Sequence, residues 1–283
     1  LTARDRRTKL APRPWRATVS GNQSLIPVLR ADPELAEGLS PAELDAAVRV
    51  VALHARALEP GPWDPEAEQW PVPPTLGLLV LQGVITRDIV FAGRTTTELI
   101  GAGDVLRPWE DDVQFDSLPF AATWHVHEPA RLALLDARFA LASARWPVLA
   151  AAISRRHVRR ARSLAFQLAI AQLPRVDDRL LVLLWALAER WGRVSPQGVR
   201  LALALPHRTL ATLVGARRPS VTTALSGLAR DGLVERTDEG WLLHGDPAEV
   251  FPRRLHIAPV APPPAVAAPA VPVAAANARA AGL

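Results

Sequence analysis

Residues 205–245, LPHRTLATLVGARRPSVTTALSGLARDGLVERTDEGWLLHG, carry the pattern that most restricts the fold. Leu210, Ala211, Leu213 and Val214 give a short helix one apolar side, and Ala211 is small where a second helix must cross closely. Gly215 follows at the point where the chain has to turn, and glycine adopts positive φ without a Cβ penalty. Pro219 suits the first turn of the next helix, where its missing N–H would be unpaired anyway. Val221, Ala224, Leu225 and Leu228 then form one apolar stripe. GLVER, TDEG and WLLH read as two short strands around a tight turn with Asp238, Glu239 and Gly240 at its tip. The segment is predicted to be a helix-turn-helix with a β-hairpin wing.

The polar side of the second helix holds Arg217, Arg218, Ser220, Thr222 and Thr223. A guanidinium makes bidentate hydrogen bonds to guanine O6 and N7 in the major groove. Serine and threonine hydroxyls suit phosphates or base edges. These side chains on an outward face point to double-stranded DNA. The acidic tip of the wing does not fit deep against phosphate.

Upstream the texture differs. Ser40–Pro41 opens a helical patch with apolar positions at Leu44, Ala47, Val48 and Val51. From about 59 to 135, Pro and Gly punctuate short apolar runs (LGLLVLQGVI, RDIVFA, TTTELIG, DVLRPW, AATWHVH, ARLALLD), the spacing of a small β-barrel or sandwich. Gly83, Gly93, Gly101 and Gly103 are placed at its turns. Pro147 begins a long helix to about Ala171, on which Ala151, Ser154, Val158, Ala161, Ala165, Leu168 and Gln172 recur at spacings of 3 and 4. That heptad-like seam of mostly small residues lets two helices approach closely. Arg155, Arg156, Arg159, Arg160 and Arg162 fall off the seam and read as a solvated face. Leu173 to Arg175 breaks the helix, and another follows at about 177–192.

Charge is segregated. Residues 31–136 hold 18 acidic and 6 basic residues, so with a formal net charge of +5 the remainder carries +17. An acidic scaffold joined to a basic part fits a polyanion binder. The absence of cysteine excludes disulfides, thiolate metal sites and cysteine nucleophiles. No apolar run is long enough to span a membrane, and LTARDRRTKL lacks the apolar core of a secretory signal, so a cytoplasmic location without membrane contact is expected.

The order of barrel, long helix and winged helix-turn-helix over roughly residues 25–246 resembles the cyclic-AMP receptor protein/fumarate-nitrate regulator (Crp/Fnr) family. The resemblance implies an α+β fold: a basic disordered arm (1–20), a cyclic-nucleotide-binding-like β-barrel or jelly roll (21–145), a dimerisation helix (146–173), a winged helix-turn-helix (174–248) and a disordered Pro/Ala-rich tail (249–283). It implies a recognition helix starting at Arg217-Arg218-Pro219-Ser220-Val221, with Arg218 and Thr223 as base readers and His207, Arg208 and Ser220 on phosphates. Pro219 departs from the acidic residue common there, which puts the family's usual operator in doubt. One such helix reads few base pairs, so a homodimer on a pseudo-palindromic site is expected, the two helices about 34 Å apart. RNA polymerase is expected as a further partner.

The family's phosphate cassette has a Gly-Glu pair followed by Arg-Ser/Thr-Ala. Here Gly103-Asp104 keeps the turn, but no Gly-Glu pair follows and SLPFAATW (117–124) has no arginine. A buried cyclic phosphate without its cation is costly, so control by cyclic AMP is not expected. Arg107 and Trp109 are the candidate residues for a different effector pocket. The acidic group Glu110, Asp111, Asp112 and Asp116 reads as a solvated loop. His125 and His127 resemble the metal pair of a cupin, but Glu128 follows at the wrong spacing. No catalytic constellation, metal site or cofactor is expected, and so no enzyme. The alternatives are an architectural DNA binder of low specificity and a cupin-like metal or small-molecule binder.

Overall fold

The computed structural model describes residues 23–73, 75–110 and 120–255. The basic arm, Asp111, Asp112 and Asp116, and the tail beyond 255 lie outside them. The described residues divide into two units, 23–244 and 245–255.

The first unit begins with β1 (Gln23–Pro27), α1 (Val28–Ala31), a 3-10 turn (Pro33–Ala36) and α2 (Pro41–Val50). Ser40 caps α2 in a capping box with Glu43, which pins the start that Ser40–Pro41 predicts. An antiparallel sheet follows: β2 (Ala52–Leu58), β3 (Gly61–Trp63), β4 (Gly77–Phe91), β5 (Arg94–Gly101), β6 (Val105–Leu106) and β7 (Phe120–Leu135). The strand path is β1-β2-β7-β4-β5, with β3 on β7 and β6 on β4. Among the described residues β1 and β5 do not pair, so the expected barrel is an open, folded-over sheet.

Runs read as separate strands are continuous. LGLLVLQGVI and RDIVF form β4, while AATWHVH and ARLALL form β7. Gly83 makes a bulge inside β4 instead of a turn. It has φ +91°, and a Cβ there would lie 2.5 Å from Ala130 Cα. The register shifts between Val80 and Ile85, and the paired strands bend there. Gly93 and Gly103 do sit at turns with positive φ. Gly101 is glycine for another reason: a Cβ would meet the Trp191 ring at 2.6 Å.

The bent sheet is buried on both faces at its centre. Leu78 and Val80 of β4 and Leu132 and Leu134 of β7 face one core with Trp63, Trp70, Ile85, Ile100 and Trp124. Their alternating neighbours Leu79, Ala133 and Leu135 face a second core, closed by α1, α2 and the helices α3 (Ala137–Arg145) and α4 (Pro147–Gln172). Phe139, Leu149, Ala152 and Ile153 are the helical side of that core.

The five arginines of α4, expected on one solvated face, divide between two sides of the helix. Arg156 is buried, pairs with Asp32 at 2.7 Å and donates to Gly103 O at 3.0 Å. Arg160 donates to Glu98 from Nε (2.5 Å) and Nη2 (2.9 Å), and to Val105 O at 3.1 Å. Arg155, Arg159 and Arg162 are exposed. The predicted seam is exposed along its whole length from Ala151 to Gln172.

Next comes α5 (Val176–Trp191), then the hairpin β8 (Arg193–Ser195) and β9 (Gly198–Leu201), α6 (His207–Leu213), α7 (Arg218–Arg230), β10 (Val234–Arg236) and β11 (Trp241–Leu243). The wing is half of a four-stranded sheet, β10-β11-β9-β8.

In the second unit, Asp246 opens α8 (Pro247–Leu255) by accepting the Ala248 N–H at 2.8 Å. Residues 249–255 are therefore helical, where a disordered tail is expected from composition. No helix among the described residues is long and apolar enough to cross a membrane.

Candidate nucleic-acid interface

Val221, Leu225 and Leu228 anchor α7 and are buried. Thr222, Thr223 and Ser226 between them are exposed, as are Arg217, Arg218 and Ser220 at the helix start. Among the described residues neither guanidinium has a hydrogen-bond or ion-pair partner. Arg217 occupies the N-cap position with an extended backbone, and Pro219 lies in the first turn. The first orphan N–H groups of α7 lie in the same turn, so donors and cations sit at one helix end.

The turn before α7 is built from the predicted residues. Gly215 has φ +62°, and Ala216 N donates to Ala211 O at 2.8 Å. Arg179 of α5 also holds this turn. It donates to Leu173 O (2.6 Å), Val214 O (3.2 Å) and Gly215 O (3.3 Å), so one side chain ties both interhelical breaks together. Nothing in the sequence pattern singles Arg179 out.

The predicted phosphate contacts separate. His207 Nδ1 and Thr222 Oγ1 are hydrogen-bonded at 3.0 Å, which joins the start of α6 to the outward face of α7. Ser220 is on the same exposed turn as Arg218. Arg208 is exposed as well, but close enough to His127 of the large sheet to act on it electrostatically. Burial, then His125 and Arg208, push His127 down to about 4, with its Nε2 bonded to Thr86 Oγ1 at 2.9 Å. His127 is thus a neutral, hydrogen-bonded strand histidine. His125 lies beside it with ring centroids 4.8 Å apart, and the described residues hold no group of three metal-ligating side chains.

Two further contacts fix α6 on the sheet. Thr97 and Thr212 are hydrogen-bonded through their hydroxyls at 2.6 Å. Gln167 Nε2 donates to Thr97 O (2.7 Å) and Leu213 O (3.0 Å). This polar bridge covers the otherwise open edge of β5.

The wing's sheet depends on two close approaches. A Cβ on Gly240 would lie 2.2 Å from Leu201 O, and one on Gly198 would lie 2.3 Å from Leu243 O. Asp238 and Glu239 are exposed at the tip, and Arg236 stacks on Trp241 with 4.5 Å to the ring centre.

The turn from Gly101 to Arg107 is held by the chain's own cations. Asp104 is buried, accepts from Gly101 N at 2.9 Å and pairs with Arg190 at 2.7 Å. Arg156 and Arg160 take the carbonyls of Gly103 and Val105. Arg107 is exposed, whereas Trp109 packs against the core that contains Trp124.

Two helices crossing at a glycine turn, with a hairpin behind them, define a winged helix-turn-helix protein. The family model described as the Crp-like helix-turn-helix domain matches residues 178–248. Three solved structures share the fold over most of the chain. A cyclic nucleotide-binding domain containing protein from Listeria monocytogenes has a TM-score of 0.53 at 15% identity, covering 66% of this chain and 87% of its own. A CooA variant from Carboxydothermus hydrogenoformans has a TM-score of 0.51 at 18% identity, covering 82% and 94%. FixK2 from Bradyrhizobium japonicum has a TM-score of 0.50 at 15% identity, covering 73% and 96%. No curated protein sequence matches the chain. Residues 178–248 are a Crp-like helix-turn-helix domain, and the chain shares its overall fold with these solved structures.

Proposed function

We propose that this chain is a sequence-specific transcription regulator that binds a pseudo-palindromic operator as a homodimer. The observation that carries this is the division of α7: Val221, Leu225 and Leu228 are packed inward, and Arg217, Arg218, Ser220, Thr222 and Thr223 are all exposed on or beside the outward face. Arg218 and Thr223 read base edges; Ser220, Arg208 and His207 contact phosphates. Pairing runs along α4, whose Ala151, Ser154, Val158, Ala161, Ala165, Leu168 and Gln172 form an exposed line at seam spacing. Val158 and Leu168 retain 47% and 69% of their surface in the single chain, the apolar area a second α4 would cover. The regulator works in the cytoplasm and meets RNA polymerase at the promoter.

Cyclic AMP is not its signal. In support, the polar groups of the Gly101–Arg107 turn are already engaged by Arg156, Arg160 and Arg190, leaving a cyclic phosphate to displace buried ion pairs. If an effector enters near this turn, Arg107 and Trp109 are its candidate contacts. A calorimetric titration with cyclic AMP giving no heat supports this; micromolar affinity refutes it.

The test of the function is the Arg217→Ala/Arg218→Ala variant. Operator affinity should fall by about a hundredfold or more, since each bidentate base contact is worth about 1–3 kcal/mol. The dimer should persist in sedimentation. Unchanged operator affinity overturns the assignment.

A further inference from the structure

We propose that the groove between α4 and α5 is a binding site for a nucleoside polyphosphate. Arg155, Arg159, Arg162 and Phe166 follow one another at spacings of 4, 3 and 4, so they form one stripe along α4. All four line a groove of about 660 Å³, with Ala186 and Glu189 of α5 on the opposite wall. That volume is within the range of about 300–1,000 Å³ for small-molecule sites.

The charge of this stripe is not neutralised locally. The 26 residues of α4 include no Asp or Glu. Among the described residues Arg155 and Arg162 have no hydrogen-bond or ion-pair partner, and Arg159 has only an exposed pair with Glu34 at 3.5 Å. Arg156 and Arg160 on the inner side of the same helix are satisfied by Asp32 and Glu98. Like charges three and four residues apart on a helix repel, and a multivalent anion relieves all three at once. The guanidiniums rise over about 10 Å from Arg155 to Arg162, which suits a row of phosphates better than a single one. Phe166, 49% exposed at the end of the row, offers a face on which a nucleobase stacks. Glu189 offers an acceptor for a ribose hydroxyl.

Ser154 and Val158 belong both to this groove and to the seam. In the homodimer proposed above, the partner helix therefore walls the open side; that single element rests on the dimer reading, while the stripe itself belongs to one chain.

Calorimetry on the full chain with ATP, inorganic tripolyphosphate and adenosine tests the site. ATP should bind saturably, tripolyphosphate more weakly, and adenosine not measurably. Arg155→Gln/Arg162→Gln should weaken ATP by about tenfold or more, the size expected for losing charge-assisted hydrogen bonds. Phe166→Leu should weaken ATP several-fold and leave tripolyphosphate unchanged. Thermal melts confirm folding, and sedimentation reads the dimer separately: a monomeric protein that still binds ATP keeps the site and removes only the partner's wall. Absence of saturable ATP binding, or equal ATP affinity in the Arg155→Gln/Arg162→Gln variant, overturns the proposal. So does loss of operator affinity in that variant with no ATP binding, which would assign the stripe to DNA phosphates. A Phe166→Leu variant with full ATP affinity overturns the nucleoside part.

Discussion

Replacing Glu98 by Gln should be among the most damaging isosteric changes in the sheet. Glu98 is 6% exposed and faces two cations: Arg160, bonded to both oxygens at 2.5 and 2.9 Å, and Arg87 at 3.6 Å. Removing one partner of a fully buried pair costs about 3–5 kcal/mol, because the other charge stays buried. Arg160 and Arg87 keep 21% and 17% of their side-chain exposure, so water recovers part of the loss. The expected cost is about 2–3 kcal/mol. Glu34→Gln is the matched control: it also contacts two arginines, at 3.4 and 3.5 Å, but is 57% exposed, so its loss should cost less than about 1 kcal/mol. Urea unfolding followed by fluorescence of the nine tryptophans measures both. The Glu98→Gln midpoint should fall well below that of Glu34→Gln with an unchanged slope. Equal midpoints would refute the claim that burial makes this pair matter.

His127 gives a pH dependence with a definite sign. Its folded value lies at about 4, below the ordinary 6.5, so the unfolded chain binds more protons between those values. Its contribution to stability is complete above about pH 6.5 and falls as the pH drops toward about 4; His127→Gln should flatten that part of a stability-against-pH curve. Gly198→Ala should destabilise the wing's sheet by about 2 kcal/mol or more, from φ +144° and a 2.3 Å approach to Leu243 O. Hydrogen exchange should then accelerate over residues 193–243 and not in β2 or β7; uniform protection would contradict the close-packing argument.

The reading head was the most legible part of the sequence, because turn, cap and stripe are local signals. Gly215, Pro219 and Val221 each carry their meaning within a few residues, and the structure places them as expected. The β8–β9 hairpin went unread: RVS and GVRL are too short for a period, and Gly198 after Ser195-Pro196-Gln197 was its only signal. The large sheet misled in a different way. Gly83 looks like a turn residue, and only the close approach of Ala130, 47 positions later, makes it a bulge. The arginines of α4 show the same limit. Periodicity puts all five off the seam but cannot divide them, since the partner of Arg156 is Asp32, 124 residues away. Arg179 and Gln167 carry no sequence signal, because their acceptors are backbone carbonyls, which leave no trace in composition.

Selection of bound fragments from a random DNA pool tests the central claim most directly. A homodimer reading through Arg218 and Thr223 should enrich a pseudo-palindrome whose half-sites are centred about 10 base pairs apart or a multiple of that. The enriched sequence should outcompete random DNA by about a thousandfold or more at physiological salt. A pool that stays random after repeated rounds, or one asymmetric half-site bound by a single chain, would contradict it.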